Sequence, residues 1–164
     1  MNKSITLPAS FPALPVSLGT PDTNDSVLVA GYPAGFLGGI TIAKELYAAS
    51  AQAKVGQLFT FGTQSIDLFS IGGSVVAQQG SSGGAVTNEK GSLIGLIVTS
   101  SDAPDTASRD LRALTTSYVI DDFAKEAGVS LASYLSANLS EQALIFRLKA
   151  SPILSQALIN VLEK

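Results

Sequence analysis

Between Ser26 and Thr116 apolar residues alternate with polar ones or gather in short blocks broken by Gly and Asn. From Ser117 onward the spacing changes to that of helices. The run Ser26-Val27-Leu28-Val29-Ala30-Gly31 predicts a strand, closed by the turn-forming Gly31-Tyr32-Pro33-Ala34-Gly35. Ile40–Lys44 alternates, and Val55–Phe61 does so in part. Further strands are predicted at 65–69, 74–77, 84–88, 92–100 and 110–116. Residues 42–50 read as strand or helix, because Ala, Lys, Glu and Leu also favour helix. Short strands at this spacing predict a mainly β fold of about six antiparallel strands, a barrel or a sandwich, with helices after it.

The helical part opens at Ser117, expected as the N-cap of a helix that Gly128 ends. Positions 119, 120, 123, 124 and 127 make one apolar face. Residues 130–135 add a turn, and 140–150 and 152–162 predict two further helices, with Pro152 in the first turn of the second. The stripe of Leu and Ile along these two is expected to dock on its own domain. Before the strands, residues 1–25 carry Pro8, Pro12, Pro15 and Pro21 and read as an extended linker on a surface. The predicted organisation is a linker over 1–25, a barrel with its terminal helix over 26–135, and a helical tail over 136–164.

Composition narrows the classes. With 164 residues and 46% hydrophobic content the chain can bury one proper core. Charged residues make up 14% and the mean hydropathy is positive, which argues against disorder. It also argues for apolar surface covered by a further segment or by a partner, in the simplest case a second copy in a two-fold homo-oligomer. The net charge is −3 and Lys and Arg do not cluster, so nucleic acid and anionic membrane surfaces are unlikely partners. No apolar run approaches the roughly 18 residues a membrane span needs. Met1-Asn2-Lys3-Ser4 leads into Pro-rich sequence and does not read as a signal peptide. There is no cysteine and no histidine, so no disulfide, thiolate or His-based metal site is available, and neither a cofactor nor a metal is expected.

Candidate chemistry concentrates in Gly80-Ser81-Ser82-Gly83-Gly84-Ala85-Val86. A nucleophilic serine must present its Oγ to a substrate carbonyl, with backbone N–H groups turned toward the oxyanion that forms. Glycine at 80 and 83 permits positive φ and close approach of main chain to substrate. The competing reading is a Gly- and Ser-rich β-turn without chemistry. Context favours the serine: Ala85-Val86-Thr87 continues as a strand, Asn88-Glu89-Lys90-Gly91 makes a hairpin turn, and Ser92–Ser100 returns.

This ordering resembles the second barrel of trypsin-like (chymotrypsin-fold) serine proteases, particularly bacterial HtrA-type peptidases, over roughly residues 4–134. There the motif is Gly-Asp/Asn-Ser-Gly-Gly-Pro, followed by a hairpin and a strand along which the peptide substrate pairs. Gly31-Tyr32-Pro33-Ala34-Gly35 is similar to the Gly-x-Pro-x-Gly turn of those peptidases, and the helix at 117–127 falls where the family has one. The resemblance implies Ser82 as nucleophile and the N–H groups of Gly80 and Ser82 as oxyanion hole. It implies that Val76, Ala77, Val98, Thr99 and Ser100 line the primary specificity pocket, which then looks apolar or small and not built for Arg or Lys. Peptide or protein would be the substrate. The parent could be periplasmic or secreted, and the sequence itself leaves the compartment open.

The sequence departs from the pattern in three places. Ser81 stands where digestive proteases have Asp, Ala85 replaces the usual Pro, and the first barrel with the triad's His and Asp has no counterpart. Lys90 and Lys44 have no motif supporting a Ser–Lys arrangement. Gly35-Phe36-Leu37-Gly38-Gly39 lacks the Gly-Lys-Ser/Thr ending of a phosphate loop. Asp102, Asp105 and Asp110 do not have EF-hand spacing and read as a solvated loop. The expectation is the C-terminal half of a serine endopeptidase, inactive alone. A non-catalytic barrel used as a binding module, and one chain of a split protease, remain as alternatives.

Overall fold

A computed structural model describes residues 12–33, 48–62, 65–101 and 103–163. It divides into two compact units, Met1–Val119 and Ile120–Lys164.

Among the described residues the first unit is a curled antiparallel sheet of seven strands. They are β1 (Ser26–Gly31), β2 (Ala49–Lys54), β3 (Leu58–Phe59), β4 (Leu68–Gly72), β5 (Ala85–Asn88), β6 (Leu93–Ser100) and β7 (Leu111–Thr115). Their order is β2-β1-β5-β6-β7-β4-β3, and every neighbouring pair is antiparallel. Strand alternation selects the core: Val27, Val29 and Gly31 of β1 point inward and Ser26 and Leu28 outward. Likewise Leu111, Ala113 and Thr115 of β7 are buried. Val27, Val29, Leu111 and Ala113 meet Val55, Phe69, Ile71, Val86 and Ile97 in one hydrophobic cluster. Gly95 on β6 makes room for the Phe69 ring, since a Cβ there would fall 2.7 Å from it.

The sheet curls because the chain leaving β2 is tied to two places. Val55 N–H donates to Asp25 O at 2.9 Å, and Gly56 N–H donates to Ser70 O at 2.8 Å. Ser70 N–H returns a bond to Gln57 O at 2.9 Å, and the Ser70 hydroxyl accepts from Gln57 N–H at 2.8 Å. β2 and β3 remain unpaired with each other among the described residues, so the sheet is a half-barrel and not the closed six-stranded barrel expected from the sequence. Upstream, Leu93 N–H donates to Pro15 O at 2.8 Å and Ser17 N–H to Leu93 O at 2.9 Å, a short parallel bridge onto the start of β6.

Three local expectations change. Residues 74–77 form a turn and not a strand, because Ser74 takes both of the following donors: its hydroxyl accepts from Val76 N–H at 3.2 Å and its carbonyl from Ala77 N–H at 2.9 Å. β2, Ala-Ser-Ala-Gln-Ala-Lys in sequence, meets the ambiguous stretch 42–50 only at its first two residues and continues where no strand was expected. The strand expected at 40–44 lies outside the described residues. The helix α1 (Thr116–Ala127) is capped by Thr115 and not Ser117: Tyr118 N–H donates to the Thr115 hydroxyl at 3.2 Å, and the Ser117 hydroxyl donates there too at 3.1 Å.

In the second unit α1 ends at Gly128, at φ 68°, whose N–H reaches Ala124 O at 3.0 Å. α2 (Leu131–Ser136) is capped by Ser130, and α3 (Leu139–Ile145) by Asn138, whose Oδ1 accepts from Ser140 and Glu141 N–H. Phe123 and Tyr134 meet edge to face at 5.5 Å. A π-helical turn, Phe146–Ala150, joins α3 to α4 (Ser151–Leu162) without a break. The sequence suggested two separate helices. Pro152 has no N–H to donate, and the wider turn ahead of it absorbs the missing rung.

Candidate active site

The turn between residues 77 and 85 is built by its glycines. Gly80 and Gly83 sit at φ 95° and 83°, where a side chain would be strained. Gly84 is fixed for another reason: a Cβ there would come under 3.0 Å from the carbonyl oxygens of Ala30 and Ser81. Gly84 N–H donates to Ser81 O at 2.9 Å, and Gly83 N–H donates to Ile97 O at 2.8 Å. Ile97 N–H returns to Gly84 O at 2.8 Å. The turn is thus clamped to β6 at its C-terminal end. At its N-terminal end Ser81 N–H donates to Gln78 O at 3.2 Å.

Within this frame the two serines differ. Ser81 is buried and packs toward Gly31, and its hydroxyl has no hydrogen-bond partner among the described residues. Ser82 is exposed, and its hydroxyl donates to Val98 O at 3.4 Å. Neither Gly80 N–H nor Ser82 N–H donates to an acceptor among the described residues. Such an arrangement offers a hydroxyl and two backbone donors in one short turn. The sequence has no histidine, and among the described residues the hydroxyl's partner is a carbonyl.

The residues expected to line a pocket are placed unevenly. Val98 is on β6 beside Ser82 and is exposed. Positions 99 and 100 continue β6 and pair with Arg112 and Leu111 of β7. Val76 and Ala77 have no exposed surface. Both belong to the core. The Ala77 backbone carries a group the sequence reading missed. Arg109 reaches back across 32 residues to donate from Nη1 to Ala77 O at 2.8 Å, and from Nε to Ala103 O at 2.9 Å. No local pattern marks it, because its partners are distant in sequence.

The other candidates lie elsewhere. Lys90 is exposed in the β5–β6 turn, and Lys44 is outside the described residues. Asp105 accepts from the Ser108 hydroxyl at 2.8 Å and its N–H at 2.9 Å, which hold its carboxyl below the ordinary range. Asp110 pairs with Arg112 at 2.8 Å. Asp102 lies outside the described residues.

This sheet, with its serine turn opposite β6, is the fold of part of a trypsin-like serine protease. The Rv3671c protease of M. tuberculosis, in an inactive form, superposes with a TM-score of 0.51 at 22% identity, over 70% of this chain and 54% of its own. The scabies mite inactivated protease paralogue S-I1 gives 0.47 at 26% identity over 71% and 54%. Kallikrein-related peptidase 10 gives 0.47 at 18% over 75% and 60%. The chain therefore spans about half the length of the protease structures it resembles. No protein-family profile matches it, and no curated protein matches it.

Proposed function

We propose that this chain is the nucleophile-bearing C-terminal half of a trypsin-like serine endopeptidase. Ser82 would attack the scissile carbonyl, and Gly80 and Ser82 N–H would hold the resulting oxyanion. The observation that carries this reading is the exposed Ser82 on a glycine turn whose flanking N–H donors are unengaged. The histidine base and its orienting aspartate would come from a first barrel, in the same polypeptide or another. Without them the hydroxyl keeps its proton, and acyl transfer by this chain falls to what oxyanion binding alone supplies. The missing histidine also favours a second reading, a barrel retained as a peptide-binding module without catalysis.

A fluorophosphonate probe separates them. The chain alone should label slowly. Added imidazole, an external base, should accelerate labelling of Ser82, and Ser82→Ala should abolish the acceleration. Fast stoichiometric labelling without imidazole would refute dependence on an outside base. An imidazole effect that survives in Ser82→Ala, or none in the native chain, would leave the binding module.

A further inference from the structure

On the proposed reading, the residue on the acyl side of the scissile bond would lie against the wall made by residues 76–77 and 98–100. Side chains there are aliphatic where they are described, and Val76 and Ala77 are fully buried. Among the described residues, the charged group beside that wall is the Arg109 guanidinium, 2.8 Å from the Ala77 carbonyl. Its anchoring is neutral. Nε and Nη1 go to two backbone carbonyls, which position the fork without compensating its charge. Nη2 has no partner among the described residues. The described carboxylates of the same loop are engaged elsewhere, Asp105 on Ser108 and Asp110 on Arg112. No described carboxylate lies within 4.0 Å of Arg109.

A cation whose described partners are neutral carbonyls discriminates by desolvation. An aliphatic substrate side chain would strip water from the guanidinium and return nothing. A basic one would add like-charge repulsion. A carboxylate would replace the lost water with a charge-assisted bond to the free edge of a fork already held in place. We propose that Arg109 makes this site selective for a substrate bearing an acidic side chain, Asp or Glu, immediately before the scissile bond. This rests on Ser82 being the reactive position, and it replaces the apolar pocket that the sequence suggested.

The test uses the chain as it is, with no need for turnover. N-acetylated tetrapeptides identical except for a C-terminal Glu, Gln, Val or Lys are titrated, following backbone amide shifts of residues 76–84. All share a terminal carboxylate, so ranking reports the side chain. The Glu peptide should bind about tenfold or more tightly than the Gln peptide at low salt, with the margin shrinking as salt rises. Arg109→Met should bring Glu and Gln together, and Arg109→Lys should keep part of the difference. Peptides that move the Gly80 and Ser82 amides without ranking Glu first would overturn the selectivity and leave the site standing. So would a preference that persists in Arg109→Met. Peptides that move none of these amides would overturn both. If Arg109→Met fails to fold, Glu against Gln on the native chain decides alone.

Discussion

Two buried polar residues illustrate opposite outcomes of taking a polar group out of water. Asp67 is buried, yet its carboxylate accepts from Ser65 Oγ and Phe61 N–H, each at 2.6 Å, and from Thr60 Oγ1 at 3.3 Å. The Ser65 bond, then the Phe61 bond, pull its pKa below the ordinary 3.8 against the opposing effect of burial. A folded-state pKa lower than the unfolded one means the contribution is complete above about 3.8 and is lost as pH falls through the lowered folded value. Urea midpoints should therefore drop in that acid window, and Asp67→Asn should flatten the drop while lowering the midpoint at neutral pH. An unchanged acid profile in the variant would show that other carboxylates govern it. Ser81 is the converse case, a buried hydroxyl with no described partner. Leaving such a group unpaired costs about 1–3 kcal/mol. Ser81→Ala removes the hydroxyl and opens almost no space, so it should raise stability by about 1 kcal/mol and leave imidazole-assisted labelling of Ser82 intact. A loss of stability would mean that the hydroxyl is satisfied after all.

At the level of elements, what could be read from the sequence is what local pattern decides. β1, β5 and β6 were legible because alternation and the Gly and Asn turns are written into consecutive residues. The serine turn was legible because its requirements, small residues and positive φ, are local too. β2 escaped because alternating Ala with Ser, Gln and Lys carries the right period on residues that are weak strand formers. Residues 74–77 misled because an apolar run, Val75-Val76-Ala77, is also what a buried turn needs, and Ser74 supplies the turn's bonds. Arg109 could not be found at all, since Ala77 and the 101–110 loop become neighbours through β6 and β7 and not through sequence. The pairing of elements also sets the sharpest constraint on the site. Gly84 lies where β5 begins and β1 ends, with no space for a methyl group against the Ala30 and Ser81 carbonyls. Gly84→Ala should cost about 1–3 kcal/mol by overpacking and should slow imidazole-assisted labelling, because relief of the clash displaces the serine turn. A variant with wild-type thermal midpoint would show that β1 and the turn can separate freely.

For the whole molecule, the balance of exposed apolar surface against charge becomes decisive. In the unit Ile120–Lys164, α2 and α4 bury no residue. Leu148, Ile153, Leu158, Val161 and Leu162 are 64–83% exposed. Between residues 139 and 163 there are four charged side chains, Glu141, Arg147, Lys149 and Glu163, and none falls inside α4. A surface helix normally opposes its apolar stripe with a polar face, and α4 has Ser, Gln and Asn but no charge to do so. A Leu, Ile or Val kept in water forgoes about 1.5–3 kcal/mol. Five such residues between Leu148 and Leu162 exceed what scattered surface leucines account for, and large exposed apolar patches mark interfaces. A second copy is the occupant that needs no further component, and a two-fold pair would bring like helices together with a net charge of only −3 on each chain to oppose it. Sedimentation at tens of micromolar, where contacts of about 6–7 kcal/mol register, should show a dimer or larger species. Deleting residues 136–164 should return the chain to monomer with the serine turn intact, read by imidazole-assisted labelling of Ser82. A clean monomer of the full chain at that concentration would remove the dimer. A truncated chain that still dimerises would move the interface to the strands.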